Sequence, residues 1–253
     1  MKIYYNNLIE ESTLSTSSTF DGYSVDNLKT SRLSEQYKAK FISTTINITF
    51  LEVKDIQSFI IDRGELSDSA TVTLQGNSIS DFTSPPFEVS LVKTDTCFYI
   101  DIDVSYQYFR LVIEDSVEPT FGYIHIGSKF LQMPRINPKV ELFYNNTSEA
   151  TISLSGQSYE DEGYEFLETN FDFPKIYEDN FVYRGELVAN RQDILDMFRT
   201  IKSTTNQKIW VFIWSNDLDT IPPVFCILNQ SKIKIKIEDE GEYSTSLNIR
   251  EVK

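Results

Sequence analysis

The chain has 253 residues, with 23 basic and 38 acidic side chains and a net charge of -15. Divided after Phe130, it carries 10 basic and 18 acidic residues before that point and 13 and 20 after it. Neither half is a basic module, and a field of this sign repels phosphate backbones and anionic membrane surfaces. Hydrophobic residues make up 40% of the chain and charged residues 24%, which fills ordinary cores and argues against disorder over the whole length; this length predicts two domains, with one large domain as the alternative.

No stretch approaches the ~20 apolar residues that span a bilayer. Met1 to Glu11 has no basic segment followed by an apolar run, so no secretory leader is expected. Cys97 and Cys226 each sit in an apolar, β-like run. They read as buried free thiols, not a disulfide pair, which fits a reducing cytoplasm.

In chain order, the Ser/Thr cluster Ser12 to Thr19 reads as a polar loop or loose arm. Apolar and polar residues alternate over Ile46 to Phe50, Ala70 to Leu74, Glu88 to Val92, Phe98 to Val104 and Tyr123 to Ile126. Period-two alternation predicts half-buried strands. Asp101 and Asp103 then share one strand face opposite Ile100, Ile102 and Val104, and read as a solvated face. Pro134 and Pro138 punctuate a domain boundary near Gly127 to Lys139, and Glu160 to Phe173 mixes acids and aromatics without a clean period, as an arm would.

One helix is predicted near 191–202. Asn190 is a suitable N-cap, Asp193 suits the first turn, and Ile194, Leu195, Met197, Phe198 and Ile201 form an apolar stripe. Lys208 to Trp214 reads as a buried strand, and Pro222-Pro223 blocks pairing before a strand at Val224 to Leu228. The segment Lys232 to Ile237 alternates Lys and Ile. It predicts a hairpin strand with solvent-facing lysines, turning at Glu238 to Glu242 and returning through Tyr243, Thr245, Leu247 and Ile249.

Few residues invite chemistry. His125 is the single histidine, so neither a zinc constellation nor a supported Ser-His-Asp set is predicted. No Gly-rich phosphate loop occurs, and Glu238 to Glu242 lacks the ligand spacing of an EF-hand. No catalytic, cofactor-binding or metal-binding residue is assigned, and no cofactor is expected. A glycosidase-type carboxylate pair is non-specific among 38 acids. Aromatics make up 13% of the chain, 14 of them Tyr. They can anchor interfaces, stack on sugars or pack the core.

In the first half, Asp26-Asn27-Leu28-Lys29 precedes Arg32 to Tyr37, the strand Ile46 to Phe50 and the run Ile56 to Ile61. Then come Gly64 to Leu74, Tyr108-Phe109-Arg110-Leu111-Val112-Ile113 and Phe121 to Gly127. This order resembles the galactose-binding-like (discoidin-type) jelly rolls of tailed-bacteriophage tail and baseplate proteins. Tyr37 stands where Trp is common in that pattern, and no sugar-contacting set transfers residue by residue. Ser155 to Tyr159, the helix, the strand Ile209 to Trp214 and the closing Leu247 to Val252 are similar to the companion domain of such tail proteins.

The resemblance implies a mainly β chain. It would comprise a galactose-binding-like β-sandwich (jelly roll) over 1–132 and a β-rich tail-assembly domain with one principal helix over 133–253. It further implies a structural tail-tip, baseplate or distal-tail component, made in the host cytoplasm and located in the virion. Its partners would be itself in a symmetric ring and other tail proteins, with host surface glycans as a further contact. Neither nucleic acid nor membrane insertion is expected. The alternatives are a carbohydrate-binding module or adhesin and, behind it, a glycan-active enzyme.

Overall fold

The computed structural model describes the chain except for residues 1, 31, 33, 134–140, 147–148, 153–157, 162–164, 180, 184–185, 204–207, 213–223, 231 and 253. The described residues are mainly β, with one α-helix. The chain divides into two compact units, one built on Tyr4–Phe130 and one on the described residues from Leu131 onward together with Lys2 and Ile3.

The strands of the first part are β1 (Lys2–Asn7), β2 (Thr13–Thr16), β3 (Tyr37–Lys38), β4 (Ser43–Asp62), β5 (Thr71–Asn77), β6 (Phe87–Ser90), β7 (Val92–Lys93), β8 (Cys97–Glu114), β9 (Thr120–Phe121) and β10 (Ile124–Gln132). Two long strands organise the unit: β4 pairs antiparallel with β8, and β10 and β2 also pair with β4. β5 pairs with β8 and with β6. Alternation sends Ile46, Ile48, Val72, Leu74, Phe109, Leu111 and Ile113 inward, all buried, and the short β3–β9 ladder adds Tyr37 and Phe121 to the same core. Each large apolar side chain fully removed from water contributes about 1.5–3 kcal/mol.

The β4–β8 register jumps between Thr49 and Lys54, so Phe50–Val53 stand opposite Gln107. The Gln107 Nε2 donates to the carbonyls of Phe50 (3.1 Å) and Leu51 (3.3 Å), satisfying backbone groups that the ladder abandons. The bulge pushes Leu51 out to 94% exposure. Gly64 makes the turn after β4 with φ +50, where a Cβ would lie 2.6 Å from the Thr120 carbonyl oxygen and 2.7 Å from the Phe121 Cα. Only glycine combines that backbone conformation with that approach.

Ser12–Thr19 is no loose arm. Thr13–Thr16 is β2, paired with β4, and Ser12 and Ser18 are buried and hydrogen bonded. A strand with Leu14 as its one buried side chain gives too little hydrophobic alternation to be seen in sequence. Ile46–Phe50, Ala70–Leu74, Phe98–Val104 and Tyr123–Ile126 fall on β4, β5, β8 and β10, within a residue at the ends. Glu88–Val92 divides into β6 and β7 at Leu91, whose N–H bonds the Val72 carbonyl instead.

The second unit contains β11 (Glu141–Asn146), β12 (Glu149–Ile152), β13 (Ser158–Asp161), β14 (Glu165–Tyr177), β15 (Phe181–Tyr183), β16 (Glu186–Val188), α1 (Arg191–Ser203), β17 (Lys208–Phe212), β18 (Val224–Leu228), β19 (Lys236–Asp239) and β20 (Glu242–Glu251). Its sheet runs β11–β14–β20–β18–β17, with β19 also on β20. α1 lies where the stripe predicts it and buries Ile194, Met197 and Ile201. Its cap is reciprocal: Asn190 Oδ1 accepts from the Asp193 N–H (2.8 Å) and Asp193 Oδ2 from the Asn190 N–H (3.0 Å).

Two expectations are corrected here. The stretch Glu160–Phe173 belongs to strands β13 and β14, with 162–164 outside the described residues; Phe171 and Phe173 are buried and alternate with exposed Asp172, pairing with β20. The hairpin is shorter than predicted: the ladder begins at Lys236, turns at Glu240-Gly241, and leaves Ile237 78% exposed. Lys232, Lys234 and Lys236 do face solvent. Ser155–Gln157, Trp214 and Pro222-Pro223 lie outside the described residues.

Candidate functional site

The strand pattern that fills the core of the first unit fixes what its outer face presents. Ser15 lies opposite Asn47, Asn47 opposite Arg110, Arg110 opposite Gln75, and Gln75 opposite Glu88. One rung of polar side chains therefore crosses β2, β4, β8, β5 and β6. Ser15 and Glu88 at its ends are exposed, and the three central residues are half-buried.

Arg110 is fixed from two sides. Its Nε donates to Asn47 Oδ1 at 3.1 Å, and its guanidinium carbon sits 4.3 Å from the centroid of the Phe82 ring. Gln75 Nε2 donates to Glu88 Oε2 at 2.6 Å, while Gln75 Oε1 is buried without a protein partner. Phe82 reaches the face from the loop between β5 and β6. Asp81 Oδ1 accepts from the Thr83 N–H (2.9 Å) and Oγ1 (2.7 Å), and the Asp81 carbonyl accepts from Asn77 Nδ2. These Thr83 bonds, with a smaller attraction from Arg110, hold the Asp81 carboxyl below its ordinary range. At Gly76, a Cβ would lie 2.7 Å from a Tyr106 ring carbon and 3.2 Å from one of Phe87. Its absence lets those rings pack beneath the β5–β6 pair.

A second surface lies where three loops meet. The Phe20 N–H donates to the Lys38 carbonyl (2.9 Å), the Ala39 N–H to the Pro119 carbonyl (3.0 Å) and the Asp115 N–H to the Ile42 carbonyl (2.9 Å). Tyr23, Phe41, Ile42 and Val117 are exposed there by 42%, 63%, 55% and 47%. Ion pairs Lys40–Asp21 (3.9 Å) and Lys38–Glu118 (3.6 Å) border them.

The residues weighed for chemistry are placed elsewhere. His125 is buried; desolvation drives its pKa down to about 3, and neither ring nitrogen has a protein partner. Ser58 beside it is also buried and its hydroxyl is unpartnered. With both groups sealed from solvent, this pair has no access to a substrate. Asp101 and Asp103 are exposed as expected, although Asp101 also accepts from the Tyr4 hydroxyl at 2.6 Å. Glu238–Glu242 is a charged hairpin tip, with Gly241 at φ +73. Both cysteines are buried and free. Among the described residues no three His, Cys, Asp or Glu side chains gather as a metal site, and no helix is long and apolar enough to cross a membrane. The polar rung escaped the sequence reading because strand register, which aligns its five members, is not written in any one of them. Its traces in the sequence were the strands Ile46–Phe50 and Glu88–Val92 and the run Tyr108-Phe109-Arg110, each carrying one member.

No family model matches the chain, and no curated protein does. Solved structures do. The family 32 carbohydrate-binding module from C. perfringens NanJ in complex with galactose covers 51% of this chain and 99% of its own, at 7% identity and a TM-score of 0.40. The C. perfringens module CpGH89CBM32-5, in complex with GalNAc-β-1,3-galactose, covers 48% and 99% at 7% identity and 0.40. Chitosan-binding module 1 from the chitosanase/glucanase of Paenibacillus sp. IK-5 covers 48% and 98% at 13% identity and 0.39.

Proposed function

We propose that the protein works by binding, without catalysis, and that the outer sheet face of its first unit recognises carbohydrate. The rung Ser15–Asn47–Arg110–Gln75–Glu88 carries this reading. Sugar hydroxyls both donate and accept, and amide, guanidinium, carboxylate and hydroxyl groups offer both functions side by side. Strands hold such groups more rigidly than loops do. The test is titration of the whole chain with a panel of neutral and acidic oligosaccharides, repeated with Asn47→Ala and Glu88→Ala. Binding that weakens in both variants is expected; no binding to any saccharide would end the reading.

The exposed apolar residues Tyr23, Phe41, Ile42 and Val117 favour a second reading, which does not conflict with the first. Apolar patches bordered by charge mark protein–protein contacts. They suit an assembled role, of which a component of a bacteriophage tail, built as a ring of identical copies, is the specific form proposed. Sedimentation at high concentration and immunolabelling of virions test it: a persistent monomer that never accompanies virions would remove it.

A further inference from the structure

Arg110 stands out from the other cations of its unit. Lys29, Arg32, Lys38, Lys40, Lys54, Arg63 and Lys93 each lie within 4 Å of a carboxylate. Among the described residues Arg110 has no such partner, although acids outnumber bases 18 to 10 before Phe130. The exposed Lys129 also lacks one, but it is free to move in water. Arg110 is half-buried in the middle of a sheet and cannot rearrange as a surface lysine does.

Its neighbours are committed elsewhere. Asp81 Oδ1 accepts two bonds from Thr83, its charge attracting Arg110 only from beyond ion-pair contact, and Glu88 accepts from Gln75. The Nε is bound to Asn47 and one face of the guanidinium is covered by Phe82. What is left is the pair of terminal nitrogens, held in a fixed plane without an acceptor among the described residues. A planar, oriented pair of N–H groups matches an anion with two oxygens side by side, gripped at both; on a saccharide the carboxylate of an acidic sugar is such a group.

We infer that the sheet face selects acidic saccharides, with the Arg110 guanidinium gripping the carboxylate of a uronic- or sialic-type sugar while Asn47 and Glu88 meet its hydroxyls. The inference rests on the carbohydrate reading above and names its ligand class. The overall charge of -15 slows the approach of an anion but does not forbid it. Charges farther away than about 8 Å are largely screened at physiological ionic strength.

The test is calorimetric titration of the full chain with glucuronate-containing and sialylated oligosaccharides and with the same sugars after reduction of the carboxyl to an alcohol. The acidic forms are expected to bind about tenfold or more tighter than the reduced ones. Arg110→Gln should abolish that preference, and Arg110→Lys, which keeps the charge but not the fork, should retain only part of it. If Arg110→Gln does not fold, Arg110→Lys and the reduced ligands still decide. Equal binding of acidic and reduced sugars, or a preference untouched by either variant, overturns the inference and leaves carbohydrate binding standing. Binding of neither form, nor of any neutral sugar, overturns both. Among the ligands, a preference for only one of the glucuronate and sialyl forms identifies the sugar and supports the inference.

Discussion

The imidazole of His125 and the hydroxyl of Ser58 flank one point in the first unit, the place a Cβ would occupy on Gly127. That Cβ would lie 2.4 Å from His125 Nε2 and 2.3 Å from Ser58 Oγ. Both polar groups are buried and neither has a protein partner. Gly127 leaves the space that lets them coexist. Gly127→Ala should cost about 1–3 kcal/mol by overpacking, and adding Ser58→Ala should recover part of the loss. Denaturant unfolding of the single and double variants measures both.

The same histidine shapes the response to acid. Its folded pKa of about 3 lies below the usual value of 6.5, because burial opposes the charge. Stability from this group is present above pH 6.5 and is lost as pH falls from there towards 3, by up to about 1.4 kcal/mol per unit. Asp62 acts in the opposite sense. Burial raises its carboxyl from 3.8 to about 6, against backbone bonds from Gly122 and Gly64. Its contribution is present below pH 3.8 and is lost as pH rises towards 6. Between pH 6 and 4 the two slopes oppose each other, so these groups together should leave stability nearly flat. His125→Leu should then make the protein gain stability on acidification through this window, and Asp62→Asn should make it lose stability. Unfolding free energies at pH 6, 5 and 4 read the signs directly.

Two turn glycines with positive φ offer a matched comparison. At Gly64 a Cβ meets backbone atoms at 2.6 and 2.7 Å, whereas at Gly241 it meets nothing within 4 Å. Gly241→Ala should cost on the order of 1 kcal/mol, from conformational strain alone. Gly64→Ala should cost clearly more, because backbone at Thr120 and Phe121 would have to move. Thermal unfolding of the two variants, side by side, checks the order.

Removing the helix cap in Asn190→Ala should cost about 1 kcal/mol, since Asn190 Oδ1 satisfies the otherwise open Asp193 N–H. Asn190→Ser should restore most of it. The readout is unfolding followed by a probe in the second unit, such as Trp210 fluorescence.

Both thiols should resist modification in the native protein. Burial pushes Cys97 up to about 12 and raises Cys226 well above its ordinary value, leaving little thiolate at neutral pH. Titration with a thiol reagent should find neither cysteine reactive until denaturant is added, and both thereafter. Rapid native labelling would contradict the burial of these residues.

The alternation at Ile46–Phe50 and Phe98–Val104 was legible because each side chain's direction follows from backbone geometry two residues at a time. The helix at Arg191–Ser203 was legible for the same reason at its own period. β2 was not, since Leu14 alone is a weak signal, and the Lys-Ile row overstated a strand whose ladder starts only at Lys236.

What the sequence determined by itself was therefore local: strands, helix, cap, acidic balance and the burial of two cysteines. Tertiary structure decided which strands lie side by side and in what register, because hydrogen-bonded pairing joins residues as distant as Asn47 and Arg110. That register alone lines Ser15, Asn47, Arg110, Gln75 and Glu88 into one row and, among the described residues, leaves its arginine without a carboxylate in ion-pair contact. No residue specifies its cross-strand neighbour; the packing of the opposite, apolar face does.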